Sequence, residues 1–158
     1  MAKVLIAYFS PGGEAQKMAA YIGEGVRFTG GEPAIMEISD IHTFEDVTGY
    51  DGYIFGAPTY SLDVPEPMKK FLSGLPKAFL KSKLAGAFGP FTHDVSYSHD
   101  THAPAIMFKD MQDSKMMKPF ELGPLILRED VVETNEGIKA CQEYGRIFGK
   151  ALLKPGTV

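Results

Sequence analysis

The stretch that decides the fold is KVLIAYFSPGGEAQ, residues 3–16. Residues 4–9 are continuously apolar and rich in β-formers, which is typical of a strand buried on both faces of a parallel sheet. From Glu14 onward the apolar residues recur at helical spacing, and the glycines of TGGEP, residues 29–33, end that helix. A strand, a glycine turn and a helix start favour an anion site, because the backbone N–H groups and the helix dipole both attract negative charge.

The same alternation continues along the chain. Further strands are predicted over residues 34–38, 52–58, 84–89 and 122–129, helices from residues 65, 104 and 133, and a loop or short helix over 39–51. This order predicts one α/β domain over residues 1–158, a doubly wound three-layer sandwich around five parallel strands. Because ligands of such sheets bind beyond the carboxyl ends of the strands, we expect segments 9–14, 57–63 and 89–100 to converge on one crevice.

Composition excludes several functional classes. A net charge of −4 without a Lys/Arg cluster argues against nucleic-acid binding. The single cysteine, Cys141, excludes an internal disulfide and a cysteine-rich metal site. No run approaches the roughly 20 apolar residues that span a bilayer, and none resembles a secretory signal. We therefore expect a cytoplasmic protein with neither a nucleic-acid nor a membrane partner.

The motifs of other α/β classes are absent. The chain has no GxxxxGK[ST] phosphate loop, no GxGxxG after the first strand and no GxSxG nucleophile turn. A response-regulator receiver would need acidic residues after the first and third strands, where this chain has Ser10–Pro11 and Pro58–Thr59. Nucleotide hydrolysis, dinucleotide binding, serine hydrolysis and phosphoacceptor signalling therefore lack their residues here.

Four segments resemble proteins of the flavodoxin-like family. VLIAYFSPGGEAQKMA, residues 4–19, is similar to the first strand, phosphate loop and first helix of flavodoxins, and GAPTYSLDVPEPMKKFL, 56–72, to their next cofactor loop. AGAFGPFTHD, 85–94, lies where the third loop is expected, and CQEYGRIFGKAL, 141–152, resembles the closing helix of flavodiiron flavodoxin domains. The resemblance covers nearly the whole chain and is nearest to flavodiiron flavodoxin domains and flavodoxin-fold quinone reductases. It implies a flavodoxin-like sheet of strand order 2-1-3-4-5.

The resemblance also implies FMN as the cofactor, with its phosphate in the first loop and its ring between the second and third loops. Tyr60 occupies a place where the family tends to have ring contacts, and its side chain could stack on the flavin. The cofactor-binding residues carried over are Ser10, Gly12, Gly13, Glu14, Ala15, Pro58, Thr59, Tyr60, Ser61, Gly89, Pro90, Phe91, Thr92, His93 and Tyr97.

The first loop departs from the family pattern, which is roughly Ser/Thr-x-Thr-Gly-Asn-Thr. Two threonine hydroxyls are missing, and Glu14 replaces the asparagine with a carboxylate. A carboxylate about 4–6 Å from the phosphate would repel it by a few kcal/mol at an effective dielectric constant near 20. We expect Glu14 either to point to solvent in the first helical turn or to turn back and satisfy the helix N-terminus itself.

The third loop gathers three of the four histidines, His93, His99 and His102. Their spacing matches no metal motif, so we expect no metal site. A histidine near the flavin could donate a proton or contact a substrate, and His93 is the first candidate for such a catalytic role. The alternative is that these are polar loop residues that cap the following helix.

Three functions stay open at this point. The first is an FMN electron-transfer protein that serves a redox partner protein or a small-molecule acceptor. The second is an FMN-dependent NAD(P)H or quinone oxidoreductase, in which the third loop shapes a substrate site. The third is a binding module that has lost FMN through the changes in its first loop. A homo-oligomer stays open for all three.

Overall fold

The computed structural model describes residues 1–60, 62–92 and 102–153. These residues form six strands and five helices. The strands are β1 (Lys3–Tyr8), β2 (Glu32–Glu37), β3 (Gly52–Gly56), β4 (Leu84–Phe91), β5 (Lys118–Pro119) and β6 (Leu125–Arg128). The helices are α1 (Glu14–Phe28), α2 (Glu66–Gly74), α3 (Lys77–Leu80), α4 (Ala103–Lys115) and α5 (Asn135–Ala151). Short 3₁₀ turns occupy Ile38–Asp40 and Phe44–Val47, within the segment expected to be a loop or a short helix.

The sheet is parallel throughout and has the predicted order, β2-β1-β3-β4, followed by β5 and β6. Ile6 of β1 lies between Ile35 of β2 and Ile54 of β3, which fixes the register of the central strands. β2 lies at the edge of the sheet, as the strand order 2-1-3-4-5 implies. It begins at Glu32 rather than at residue 34, because an edge strand accommodates Pro33.

The fifth strand differs from the prediction of one continuous strand over 122–129. Two short strands share the place beside β4: β5 pairs with Leu84 and Ala85, and β6 pairs with the segment from Phe88 to Phe91. Between them, the backbone of Ala87 bonds to the Tyr144 hydroxyl of α5 instead of to a strand. The fifth position of the sheet is therefore split around a side chain from a distant helix.

Two hydrophobic clusters cover the two faces of the sheet. Side chains alternate along β1, so that Leu5 and Ala7 belong to the cluster of α2 and α4, whereas Val4 and Ile6 belong to that of α1 and α5. α1 and α5 cross at backbone contact distance, since a Cβ on Gly145 would lie 1.9 Å from the carbonyl oxygen of Ile22. These layers fix the carboxyl ends of β1, β3 and β4 side by side.

Within the described part of the chain, no helix has both the length and the apolar character needed to cross a membrane.

Candidate functional site

The loops that follow β1, β3 and β4 open onto one crevice at the carboxyl edge of the sheet. Its volume is about 540 Å³, within the range of small-molecule sites. Its lining comprises Ser10, Pro11, Gly12, Glu14, Ala15, Pro58, Thr59, Tyr60, Leu62, Pro90, Phe91, Thr92 and Glu129. Ten of the fifteen predicted site residues are therefore placed together; their roles toward a cofactor stay predictions.

Three predicted residues lie outside the described residues, and two others do not line the crevice. Ser61, His93 and Tyr97 fall in the undescribed ranges, as does His99. Gly13 belongs to the first loop without lining the crevice, and Gly89 is buried in β4, where a Cβ would lie 1.9 Å from the carbonyl oxygen of Ala57. Gly89 thus permits close approach of the backbone that follows β3, and its role toward a cofactor stays a prediction.

The first loop presents backbone N–H groups at the start of α1. Gly13 is the N-cap residue with a φ of 90°, a left-handed conformation that favours glycine. The Ser10 hydroxyl accepts a hydrogen bond from the Gln16 amide at 2.9 Å, so it caps the helix. Within the described residues, the amides of Gly12, Glu14 and Ala15 have no hydrogen-bond partner. Together with the helix dipole, these amides give this end of the crevice a positive character.

The Glu14 carboxylate has a different environment from either one expected from the sequence. Its side chain is only 18% exposed and lines the crevice, and among the described residues it accepts no hydrogen bond from the amides at the start of α1. It pairs instead with the Lys17 ammonium at 3.1 Å. Lys17 also contacts the Glu133 carboxylate at 2.7 Å, and hydrogen bonds to Glu133 first and Glu14 second raise the Lys17 pKa. This ion pair with a residue one helical turn away was in neither expectation, although the spacing suits it, and it holds Glu14 against the crevice.

The second loop is a short hairpin that holds Tyr60 over the crevice. The backbones of Tyr60 and Asp63 exchange two hydrogen bonds of 2.9 Å, and the Asp63 carboxylate pairs with Lys69 of α2. Leu62, at the turn, has a φ of 62° and lines the crevice beside Tyr60. Tyr60 is 47% exposed, so its ring is available to a ligand.

The Thr59 hydroxyl has a structural partner. It accepts a hydrogen bond from the Ala103 amide at 2.8 Å, in the first turn of α4. His102, the N-cap residue of α4, is 5% exposed and packs edge-on against Phe91, with ring centroids 4.7 Å apart. Phe91 lines the crevice, so His102 supports an aromatic wall from behind. Among the described residues, no three His, Cys, Asp or Glu side chains are arranged to hold a metal ion.

Three lining residues are not among the predicted cofactor-binding residues: Pro11 and Leu62, which lie within the segments expected to converge, and Glu129, which lies outside them. Glu129 was detectable in principle, because it follows β6 and the carboxyl end of β6 neighbours that of β4. Leu62 lies within the segment 57–63 that was expected at the crevice, but its left-handed backbone was not foreseen, since this conformation is uncommon for leucine. Glu129 matters most, because it gives the crevice a second carboxylate.

Comparisons with known proteins agree with this geometry, although no family model matches the chain. The chain is 29% identical over 108 residues to an NAD(P)H dehydrogenase (quinone) of Sinorhizobium fredii, covering 56% of this chain and 54% of that protein. It is 28% identical over 155 residues to a putative diflavin flavoprotein of Synechocystis, covering 96% of this chain and 24% of that protein. The chain thus spans about half of one curated relative and about a quarter of the other.

Solved structures match over nearly the whole chain. An archaeal flavodoxin superposes with a TM-score of 0.83 at 20% identity, covering 96% of this chain and 99% of that one. The flavodiiron protein of Giardia intestinalis superposes with a TM-score of 0.79 at 22% identity, covering 96% of this chain and 36% of that one. The resemblance predicted from the four sequence segments is confirmed, and the chain is flavodoxin-like in fold.

Proposed function

We propose that the chain is an FMN-binding electron-transfer protein. The observation that carries the proposal is the crevice itself. One end has helix amides without a partner among the described residues, and the aromatic side chains of Tyr60 and Phe91 lie along its walls. FMN has an anionic phosphate, which suits the helix amides, and a flat ring, which suits the aromatic walls, joined by a flexible chain. The curated relative named a flavoprotein, which matches 96% of this chain, supports the same ligand class.

The residues present fit FMN in three respects. A Cβ added at Gly12 would meet no described atom within 4 Å, so a ligand has room to approach the backbone of this loop. The amides of Glu14 and Ala15 could donate to phosphate oxygens. Tyr60 offers an exposed ring on a hairpin held by two backbone hydrogen bonds. When bound, FMN would supply the reversible electron uptake, while these residues would bind and orient it.

Titration of flavin-free protein with FMN, followed by quenching of flavin fluorescence, tests the proposal. We expect saturation at one FMN per chain and retention of the visible flavin absorption band through gel filtration. Gly12→Leu adds bulk at the crevice and should weaken binding by at least tenfold. Gly74→Leu is the matched control, because Gly74 also has open space around it but does not line the crevice. Absence of saturable binding by the wild-type chain would favour a module without flavin.

A second candidate is an FMN-dependent NAD(P)H or quinone oxidoreductase. The similarity to an NAD(P)H dehydrogenase (quinone), over 56% of this chain, favours it. The two functions differ in a direct assay. A carrier consumes NAD(P)H with a quinone acceptor only when a reductase partner is added, whereas an oxidoreductase does so alone. His93 stays the candidate for a proton donor in that case, and its substitution should then lower the turnover number.

A further inference from the structure

The lining of the crevice has an unusual charge for a site that takes a phosphate. Among the described lining residues, the charged side chains are Glu14 and Glu129, and there is neither lysine nor arginine. Arg128, the basic residue beside Glu129, forms a two-pronged ion pair with Asp130. Positive character at the crevice therefore comes from the α1 amides, and both side-chain charges oppose it.

The cation that pairs with Glu14 is only partly available to a ligand. Lys17 lies on the same helix as Glu14, and its ammonium is shared between the carboxylates of Glu14 and Glu133. These three groups carry a net charge of −1. Glu37, at the end of β2, adds a further carboxylate beside the first loop, where it accepts a hydrogen bond from the Ser10 amide at 3.3 Å. Tyr60 faces the crevice from the second loop as a neutral group.

The charge of a phosphate monoester changes within the physiological pH range. Its second pKa is about 6, so the group carries about one negative charge below that pH and about two above it. The second charge would enter a low-dielectric crevice beside Glu14 and Glu129, where repulsion is stronger than in water. The helix amides favour both forms, but the net side-chain charge disfavours the dianion.

We propose that the Glu14 carboxylate, whose charge Lys17 partly neutralises, makes the crevice bind the phosphate of FMN as its monoanion. The preference for FMN over riboflavin should therefore decrease as the pH rises. This inference rests on the proposed flavin binding and adds a ligand selectivity to it. Riboflavin carries the same ring without the phosphate. The ratio of the two affinities therefore isolates the phosphate end of the crevice from the ring.

The experiment measures dissociation constants of FMN and riboflavin in parallel between about pH 5.5 and about pH 8, by quenching of flavin fluorescence. We expect the FMN-to-riboflavin affinity ratio of the wild-type protein to fall by about tenfold across this range. Glu14→Gln should raise the ratio at the upper pH by about tenfold and flatten the pH dependence. Lys17→Met should act in the opposite direction, because it removes the counter-ion of Glu14 and leaves the carboxylate in place.

Glu32→Gln supplies a matched control. It makes the same change of charge on an exposed side chain at the amino end of β2, at the opposite edge of the sheet from the crevice. Its affinity ratio should equal that of the wild type at every pH.

The proposed function and the charge selectivity fail differently. If neither flavin binds, the proposed function is wrong and the inference with it. If both flavins bind but the FMN-to-riboflavin affinity ratio rises with pH, or is unchanged in Glu14→Gln, only the inference is overturned. A ratio that changes equally in Glu32→Gln would also overturn it, because net charge rather than Glu14 would then be responsible.

Discussion

Replacing Tyr144 by phenylalanine tests how the split fifth strand is held together. The Tyr144 hydroxyl is buried, accepts a hydrogen bond from the Ala87 amide at 3.2 Å and donates to the Gly123 carbonyl at 2.6 Å. Gly86 makes room for it, since a Cβ there would lie 2.9 Å from the hydroxyl oxygen. Burial also raises the Tyr144 pKa, so the hydroxyl keeps its proton at physiological pH. One side chain thus replaces the strand pairing that is missing between β5 and β6.

The expected loss of stability follows from the backbone groups that lose their hydrogen-bond partner. Tyr144→Phe preserves the ring packing against Phe120 but leaves the Ala87 N–H and the Gly123 carbonyl without the hydroxyl. An unsatisfied buried group such as the Ala87 N–H costs about 1–3 kcal/mol, and the part-buried Gly123 carbonyl adds about 1 kcal/mol, so the free energy of unfolding should fall by about 2–4 kcal/mol. With a urea m-value of about 2 kcal/mol/M, the midpoint should decrease by about 1–2 M.

Urea denaturation followed by far-ultraviolet circular dichroism measures this loss. Tyr21→Phe is the control: Tyr21 is a helical tyrosine that is partly buried, and its hydroxyl has no hydrogen-bond partner within the described residues. It should change the free energy of unfolding by less than about 0.5 kcal/mol. If Tyr144→Phe unfolds at the same urea concentration as Tyr21→Phe, the hydroxyl does not hold the two halves of the fifth strand.

Two further predictions concern residues of α5. Gly145→Ala should lower the free energy of unfolding by about 2 kcal/mol or more, because its Cβ would meet the Ile22 carbonyl oxygen at 1.9 Å. Gly74→Ala is the control in the same urea assay. Because Gly74 has open space around it, this change should be neutral or stabilising by up to about 1 kcal/mol. The Cys141 thiol is fully buried, and burial raises its pKa to about 12. A thiol reagent should therefore modify Cys141 only after unfolding. Rapid modification of the native protein would contradict this prediction.

Most of the fold was predictable because it depends on local patterns. The run of residues 4–9 and the helical spacing after Glu14 define a buried strand and an amphipathic helix without reference to the rest of the chain. The alternation of strands and helices then leaves few ways to build the sheet. The split of the fifth strand was not predictable, because it depends on Tyr144, which is 57 residues away from Ala87 along the chain.

The candidate site was also predictable only in part: its position follows from the sequence, but the contacts of its side chains do not. The sequence indicates which loops meet, because carboxyl ends of neighbouring parallel strands share an edge. It does not indicate what each side chain contacts. The resemblance places Ser10 and Thr59 at the cofactor, yet their hydroxyls accept hydrogen bonds from amides in the first turns of α1 and α4. Helix starts near a site compete with a ligand for the same short polar side chains.

The hydrogen bond of Ser10 changes what the altered first loop means for phosphate binding. Because that hydroxyl satisfies the Gln16 amide, the donors that this loop leaves for an anion are the backbone amides of Gly12, Glu14 and Ala15. Backbone donors do not depend on side-chain identity, so losing two threonine hydroxyls removes less of the site than the sequence pattern suggests. Glu14 differs, because it keeps its amide donor while adding a charge of the wrong sign. Under the proposed function, the loop would therefore retain its phosphate geometry and lose only part of its electrostatic attraction.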